Sequence, residues 1–200
     1  MIKINIGCGG SPLKDYINTD MDSLDQIKKR YPNKTFDNDL IVKNYDIFNL
    51  PFENSSVDEI KTDSLIEHLS FIEEKKFFYE ITRVIKKDGK IEISTPDFEA
   101  AVKQWLNAED DWKDFYRDDD EAIKNNHWFG NFTYKPNNRW GYLLATIFGS
   151  QNGEGQYHKN CYTEKKFIAI CKKVGLKIIK IEKFQWRGDR DHMLKIIATK

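Results

Sequence analysis

Short apolar runs recur through the first half of the chain, and segments with a helical spacing of apolar residues lie between them. The longest of these segments, 73–87, places its apolar side chains on one helical face, and Asp88 and Gly89 are predicted to end that helix. A shorter helix is predicted over 22–30. Strands are predicted at about 3–6, 16–19, 41–45, 57–61 and 90–94. Strands that alternate with helices indicate βαβ units and a parallel sheet.

The pattern changes after Pro96, which is expected to end the fifth strand. The sheet pattern returns with a helix at 163–174, which Gly175 is predicted to stop. Two final strands are predicted at about 176–184 and 193–198. Residues 97–160 lack strand-like alternation, and helices are predicted there at 98–107, 110–124 and 138–148. We therefore predict a single α/β domain over residues 1–200 with a helical and loop insertion at 97–160.

Length and composition limit the kind of protein. The 200 residues are 40% apolar and 32% charged, as in a globular domain with a sizeable core. No apolar run approaches the roughly 20 residues that cross a membrane, and the first strand begins too early for a signal peptide. Cys8, Cys161 and Cys171 show no metal-binding spacing, alone or with the four histidines. We expect a cytoplasmic protein with no membrane partner and no metal.

The formal net charge is zero, but the charges are unevenly distributed. Residues 97–121 hold ten acidic side chains against three basic ones, and residues 158–200 hold twelve basic side chains against four acidic ones. We interpret these segments as two solvated faces, with a basic face for an anionic substrate as the alternative. No segment resembles a nucleic-acid-binding module, and the acidic segment would repel a phosphate backbone, so we expect no nucleic-acid partner.

The most informative motif is INIGCGG at 4–10, followed by INTD at 17–20. A strand, a glycine turn and a second strand that ends in an acid are typical of nucleoside-binding α/β sheets. The turn formed by Gly7, Cys8, Gly9 and Gly10 is predicted to lie under the ligand of such a sheet, because its backbone N–H groups can meet a carboxylate. Asp20 is the predicted acceptor for ribose hydroxyls, and Met21 is expected against the base.

Three further motifs follow in order: LPFENSSVDEI at 50–60, EHL at 67–69 and EITRVIKKDG at 80–89. With the glycine motif, this series resembles the class I S-adenosylmethionine-dependent methyltransferases, and within them a small subgroup with IGCGG…INxD, LPFxxxSxDEI, EHL and EIxRVxKxxG motifs. The resemblance covers residues 2–97. It implies a Rossmann-like, doubly wound α/β fold whose seven-stranded, mostly parallel sheet has an antiparallel last strand. It also implies S-adenosylmethionine as cofactor and S-adenosylhomocysteine as product.

The resemblance also implies several cofactor contacts. Asn5 stands where relatives often carry an acid that reaches the cofactor's ammonium group. Asp46 is implied to accept from the adenine amino group, and the backbone N–H of Ile47 to meet a ring nitrogen. Thr62 and Asp63 are further candidates, because ligands of open α/β sheets collect at the carboxyl ends of the strands.

Two histidines are the candidate catalytic residues. His68 follows the fourth predicted strand, and His158 lies in a polar loop beside Lys159. Imidazole exchanges protons near neutral pH, and loops mounted on a rigid sheet commonly carry function. Asp58, by contrast, is expected to have a structural role.

The predicted function is methyl transfer to a hydroxyl or amine of a small-molecule or carbohydrate-like acceptor, with residues 97–160 as a substrate cap. A glycan-type acceptor fits the aromatic insertion, and a monomer or homodimer is expected. One alternative is a nucleotide-binding oxidoreductase of similar fold, although Pro12 stands where the third glycine of its fingerprint would fall. The other is a catalytically silent S-adenosylmethionine-binding module, suggested by Asn5 and by the short connection after Gly10.

Overall fold

The computed structural model describes residues 1–37, 39–106, 145–151, 155–185 and 192–200. Helices predicted over 110–124 and most of 138–148 fall outside these ranges, although residues 145–148 are helical. None of the helices within the ranges is long and apolar enough to cross a membrane. The named elements, in chain order, are β1 (Lys3–Ile6), β2 (Ile17–Thr19), α1 (Leu24–Arg30), β3 (Val42–Lys43), β4 (Val57–Asp63), a 3₁₀ turn (Ile66–His68), α2 (Phe71–Val84), β5 (Ile85–Pro96), α3 (Phe98–Leu106), α4 (Glu164–Val174), β6 (Lys177–Gln185) and β7 (His192–Thr199).

The seven strands form one sheet in the order β3-β2-β1-β4-β5-β7-β6. Strands β1 to β5 pair in parallel, whereas β7 runs antiparallel to both of its neighbours. The strand order reverses between β1 and β4, and open α/β sheets bind ligands in the crevice at such a switch point. The predicted doubly wound, mostly parallel sheet with an antiparallel last strand is therefore confirmed.

The central strands are buried because helices cover a parallel sheet on its faces. Ile4 and Ile6 of β1, Ile60 of β4 and Ile91 and Ile93 of β5 lie in the hydrophobic core. Ile6 is in register with Thr19 of β2 on one side and with Thr62 of β4 on the other. The carboxyl ends of three strands are thus aligned at one edge of the sheet.

Helix α2 begins and ends earlier than its apolar pattern predicts. Ser70 caps it, because the Ser70 hydroxyl accepts from the Glu73 N–H and the Glu73 carboxylate accepts from the Ser70 N–H. The predicted stop at Asp88 and Gly89 is wrong, since the helix ends at Val84 and β5 begins directly afterwards. The reason is that Ile85 pairs with Val57 of β4, so strand pairing overrides the helical pattern.

Asp58 has the structural role that the sequence predicts. Its Oδ2 accepts from the Ile2 N–H at 2.6 Å, and its Oδ1 accepts from the Lys86 ammonium at 2.7 Å. The carboxylate therefore joins the chain before β1 to the beginning of β5. The hydrogen bond from Lys86, followed by that from Ile2, lowers the pKa of the Asp58 carboxyl.

Asp58→Asn should destabilise the fold in a pH-dependent way. The pKa of Asp58 is lower in the folded protein than in the unfolded chain, where it is about 4. The ionised carboxylate therefore stabilises the fold above pH about 4, and this stabilisation is lost as the pH falls through the pKa of the folded protein. The melting temperature of the variant should therefore lie below that of the parent at neutral pH, and the gap should close in acid. Thermal unfolding across that range measures it, with Glu53→Gln as an exposed control. A gap that does not change with pH would contradict this role.

Candidate active site

The turn after β1 needs glycine at its first position. Gly7 has φ +66°, and a Cβ there would lie 2.8 Å from a side-chain carbon of Leu65. The N–H groups of Gly7 and Cys8 both donate to the Thr19 carbonyl, at 2.8 and 3.0 Å. Burial raises the pKa of the Cys8 thiol to about 12, so this cysteine is a packed, unreactive part of the turn.

Asp20 lies at the carboxyl end of β2 and contacts this turn directly. Its side chain is 9% exposed. Oδ2 accepts from the Gly9 N–H at 2.8 Å, and Oδ1 accepts from the Asp22 N–H at 3.0 Å. These two hydrogen bonds fix the carboxylate, and each oxygen still has a lone pair for a further donor. The structure thus brings together the glycine turn and the acid.

A pair of asparagines supports the connection between β1 and β2. The Asn5 side-chain amide donates to the Asn18 Oδ1 at 2.9 Å and to the Ser11 carbonyl at 3.1 Å. Asn18 in turn accepts from the Leu13 N–H at 2.7 Å and donates to the Leu13 carbonyl at 2.9 Å. The sequence reading did not include Asn18, whose only signal is its place in the INTD motif. The cofactor role of Asn5 stays a prediction, and its observed contacts are structural.

Other predicted cofactor residues lie around the same edge. Met21 is 70% exposed. Asp46 follows β3 and accepts from the Phe48 N–H at 2.9 Å, whereas the neighbouring Ile47 packs against the core. At the end of β4, Thr62 is buried and its hydroxyl has no hydrogen-bond partner among the described residues. Asp63 accepts from the Ser94 hydroxyl. The cofactor roles of these residues stay predictions.

Glu67 is a buried acid that the sequence reading did not select, although it belongs to the EHL motif. Its side chain is 2% exposed, and the Thr95 hydroxyl donates to Oε2 at 2.9 Å. Oε1 has no hydrogen-bond partner in the part of the chain that the structure describes. Burial, with a smaller contribution from Asp63, raises the pKa of this carboxyl to about 8, although its own backbone N–H and the hydroxyls of Thr95 and Ser64 oppose the rise.

The structure brings His68 and His158 into contact, although they come from distant segments. Their ring centroids are 4.7 Å apart and the rings meet edge to face. Nδ1 of His68 lies 3.0 Å from the Tyr157 carbonyl, and Nδ1 of His158 lies 2.9 Å from the Thr146 carbonyl. Burial lowers the pKa of His68, and burial together with the charge of His68 lowers that of His158 to about 4. Both rings are therefore neutral at neutral pH.

Backbone contacts fix the loop that carries His158. The N–H groups of Lys159 and Asn160 donate to the Glu67 carbonyl at 2.8 and 3.1 Å, and the His158 N–H donates to the Phe148 carbonyl at 3.0 Å. Gly149 has φ +80°, and a Cβ there would lie 2.1 Å from the Gln156 carbonyl oxygen.

One nitrogen or oxygen atom from each of Glu67, His68 and His158 lies within 4.8 Å of the others, which makes them a group that could hold a metal ion.

Comparisons with known proteins agree with this architecture. Residues 4–93 match the family model of the methyltransferase domain. Among curated proteins, the comparison finds no significant match. An S-adenosylmethionine-dependent methyltransferase from Methanosarcina mazei has a similar structure, with a TM-score of 0.57, 16% identity, and coverage of 99% of this chain and 91% of that chain.

Two other solved structures extend the similarity. A methyltransferase from Thermotoga maritima gives a TM-score of 0.56 at 14% identity and covers 100% of this chain and 82% of that chain. The other is the 1,6-didemethyltoxoflavin-N1-methyltransferase from Burkholderia thailandensis, which was solved with bound 1,6-didemethyltoxoflavin and S-adenosylhomocysteine. Its TM-score is 0.56 at 10% identity, and the alignment covers 100% of this chain and 70% of that chain.

At these low identities the solved structures show only that the fold is shared. The family model adds a match in sequence, which runs from β1 into β5. That matched segment includes the glycine turn, Asp20 and the EHL motif. Residues 4–93 thus match a methyltransferase domain, and the chain shares its fold with solved S-adenosylmethionine-dependent methyltransferases.

Proposed function

We propose that this protein transfers the methyl group of S-adenosylmethionine to a hydroxyl or amine of a small-molecule or carbohydrate-like acceptor. The observation that carries the proposal is the placement of three features at one edge of the sheet. The glycine turn follows β1, Asp20 follows β2, and His68 lies in the turn after β4. Because β1 lies between β2 and β4, a cofactor over β1 would have its ribose near Asp20 and its reactive end towards the histidines.

The proposed cofactor contacts follow the strand order. The backbone of Gly7, Cys8, Gly9 and Gly10 forms the floor, and Asp20 accepts from the ribose hydroxyls. Further towards the sheet edge, Asp46 and the Ile47 N–H meet the adenine, with Met21 beside it. Thr62 and Asp63 at the end of β4 complete the site, and the unpartnered Thr62 hydroxyl, as seen among the described residues, supports this assignment.

The chemistry requires little beyond alignment, because the sulfonium already activates the methyl group. The protein has to place the acceptor nucleophile in line with the sulfur–carbon bond, and such positioning contributes several kcal/mol to catalysis (up to ~7–11 in well-oriented systems). A hydroxyl acceptor must also lose its proton. His68 and His158 are in contact with each other and both have lowered pKa values, which supports them as the proposed residues for this task.

The insertion at 97–160 is the proposed substrate cap. Both of its described ends are fixed at the carboxyl edge of the sheet. At one end, the Phe98 N–H donates to the Tyr162 carbonyl at 3.1 Å, and at the other, Lys159 and Asn160 donate to Glu67. The insertion also contains four of the five tryptophans, and aromatic faces suit sugar rings and other flat acceptors. These features and the zero net charge support a small polar or glycan-type acceptor.

Cofactor binding and turnover separate this proposal from its alternatives. Calorimetry should show binding of S-adenosylmethionine and not of reduced nicotinamide nucleotides. Release of S-adenosylhomocysteine should then identify an acceptor in a panel of small hydroxyl compounds, amines and glycans. Nicotinamide binding without S-adenosylmethionine binding would favour the oxidoreductase. Cofactor binding without turnover of any acceptor would favour the silent binding module.

Asp20→Ala should weaken S-adenosylhomocysteine binding by about 1.5–3 kcal/mol, because ribose loses hydrogen bonds to a charged acceptor. Titration calorimetry measures this change. Asp22→Ala is the matched control, since it removes a nearby acid that pairs with Arg30 instead. Asp20→Asn keeps the side chain's shape and separates loss of charge from disturbance of the glycine turn. An unchanged affinity in Asp20→Ala would contradict the ribose assignment.

Gly149→Ala should slow methyl transfer while S-adenosylhomocysteine binding stays nearly unchanged. The added Cβ would clash with the Gln156 carbonyl and displace the segment that holds His158. The left-handed backbone alone costs about 1–2 kcal/mol for a non-glycine residue. Gly175→Ala is the control, because Gly175 has a similar φ of +78° but an added Cβ would meet no described atom within 4 Å. Steady-state kinetics and calorimetry on both variants give the comparison, and parental kinetics in Gly149→Ala would contradict the role of this loop.

A further inference from the structure

Glu67, His68 and His158, called the Glu–His–His cluster below, combine two imidazoles with one carboxylate. One potential ligand atom of each lies within 4.8 Å of the others. Two histidines and one carboxylate are the protein ligands of many catalytic zinc sites and of non-haem iron sites. We propose that the Glu–His–His cluster binds a divalent first-row transition-metal ion of the Zn²⁺ type. The sequence spacing predicted no metal, because the cluster forms only when the loop of His158 folds onto the turn after β4.

The tautomers of both histidines suit metal binding. Each Nδ1 lies within hydrogen-bonding distance of a backbone carbonyl, that of Tyr157 for His68 and that of Thr146 for His158. A carbonyl oxygen only accepts, so each Nδ1 must carry the proton and each Nε2 must keep its lone pair. A histidine that binds a metal commonly donates its other ring N–H to a carbonyl or carboxylate in this way, which fixes the ring orientation.

Glu67 supplies a second, independent indication. Its carboxylate is buried, yet Oε1 has no hydrogen-bond partner among the described residues. The Ser64 hydroxyl lowers the pKa of this carboxyl from nearby, but the hydrogen bond that it donates, at 3.5 Å, goes to Asp63. A buried carboxyl oxygen without a partner is costly, and a cation that displaces the carboxyl proton and binds at Oε1 would remove that cost. The Thr95 hydroxyl donates to the other oxygen, Oε2. Thr95 is therefore a positioning residue that orients Glu67 as a metal ligand.

The cluster is held by backbone contacts rather than by flexible side chains alone. The Glu67 carbonyl accepts from Lys159 and Asn160, directly after His158, and the Tyr162 hydroxyl donates to the Ile66 carbonyl at 3.3 Å. Asp63 adds negative charge near Glu67. The Lys159 ammonium opposes a cation, but its side chain is half exposed and lies 3.9 Å from the Glu73 carboxylate.

The ligand set selects the class of ion. Imidazole nitrogen suits Zn²⁺, Co²⁺, Ni²⁺ and Fe²⁺, whereas Mg²⁺ and Ca²⁺ prefer oxygen ligands. Metal–ligand distances of about 2.1 Å place the ligand atoms of a tetrahedral Zn²⁺ about 3.4 Å apart, so binding would draw the side chains slightly inward. Three protein ligands leave at least one coordination position open, as in catalytic zinc sites.

The open position has a consequence that rests on the proposed methyl transfer. An acceptor hydroxyl bound there would lose its proton to water more readily, because the cation stabilises the alkoxide. The alkoxide oxygen would then form a bond to the methyl carbon as the sulfur–carbon bond breaks, leaving S-adenosylhomocysteine as a neutral sulfide. His68 and His158 would act on the acceptor through the ion, as its ligands.

Direct metal titration tests the cluster without any assay of activity. The full chain, freed of metal by a chelator and carrying no histidine tag, is titrated with Zn²⁺, Co²⁺ and Mg²⁺ by calorimetry and absorption. We expect stoichiometric binding of Zn²⁺ and Co²⁺ but not of Mg²⁺. Bound Co²⁺ should give visible d–d absorption without a thiolate charge-transfer band. Glu67→Gln and His158→Ala should abolish binding, and Thr95→Val should weaken it roughly 10–100-fold.

Two controls separate the cluster from other metal ligands. His192→Ala removes a histidine of β7, and Cys161→Ser removes an exposed thiol near the loop, so neither should change the affinity. Circular dichroism checks the fold of each variant. The proposal is overturned if Zn²⁺ and Co²⁺ fail to bind the parent, if Glu67→Gln and His158→Ala bind as the parent does, or if Cys161→Ser abolishes binding. S-adenosylhomocysteine titration of the same metal-free protein tests the proposed function separately.

Discussion

The active edge of this domain depends on the buried residue Glu67. Its carbonyl accepts from Lys159 and Asn160, which ties the end of the insertion to the turn after β4. Its carboxyl group accepts from Thr95 of β5 and lies beside His68. Burying a carboxyl group is costly unless both of its oxygens have hydrogen-bond partners. Here Oε2 has the Thr95 hydroxyl as a partner, whereas Oε1 has no partner among the described residues. A fold that retains such a group at the edge of a ligand crevice is arranged for chemistry more than for stability.

The opposite side of the crevice depends on a polar network instead of a helix. The connection between β1 and β2 is too short for the full helix that commonly follows the first strand of such a sheet. Asn5 and Asn18 replace the missing packing with hydrogen bonds to Ser11 and Leu13. The turn keeps its shape, and Gly9 still donates to Asp20. A shortened crossover is therefore compatible with a fully formed glycine turn that contacts Asp20.

Much of the fold could be predicted from local patterns. The apolar alternation around Ile4 and Ile6 predicts β1, and Thr163 and Gly175 mark the ends of α4 at its cap and its stop. The end of α2 could not be predicted in the same way, because the pairing of Ile85 with Val57 is a long-range contact that a local helical pattern does not contain. For the same reason, the glycine turn and Asp20 were visible as an ordered motif, whereas the contact between His68 and His158 was not. The only sequence signal for Glu67 is its place as the acid of the EHL motif, and its burial became visible only in the structure.

The central claim is that the cofactor lies over β1, with its ribose at Asp20 and its sulfur towards the Glu–His–His cluster. A crystal structure of the protein with S-adenosylhomocysteine tests it most directly. The account predicts ribose hydroxyls within hydrogen-bonding distance of the Asp20 carboxylate, and the sulfur atom on the side of the site where His68 and His158 meet. A nucleoside bound away from Asp20, or a sulfur atom directed away from the two histidines, would contradict it.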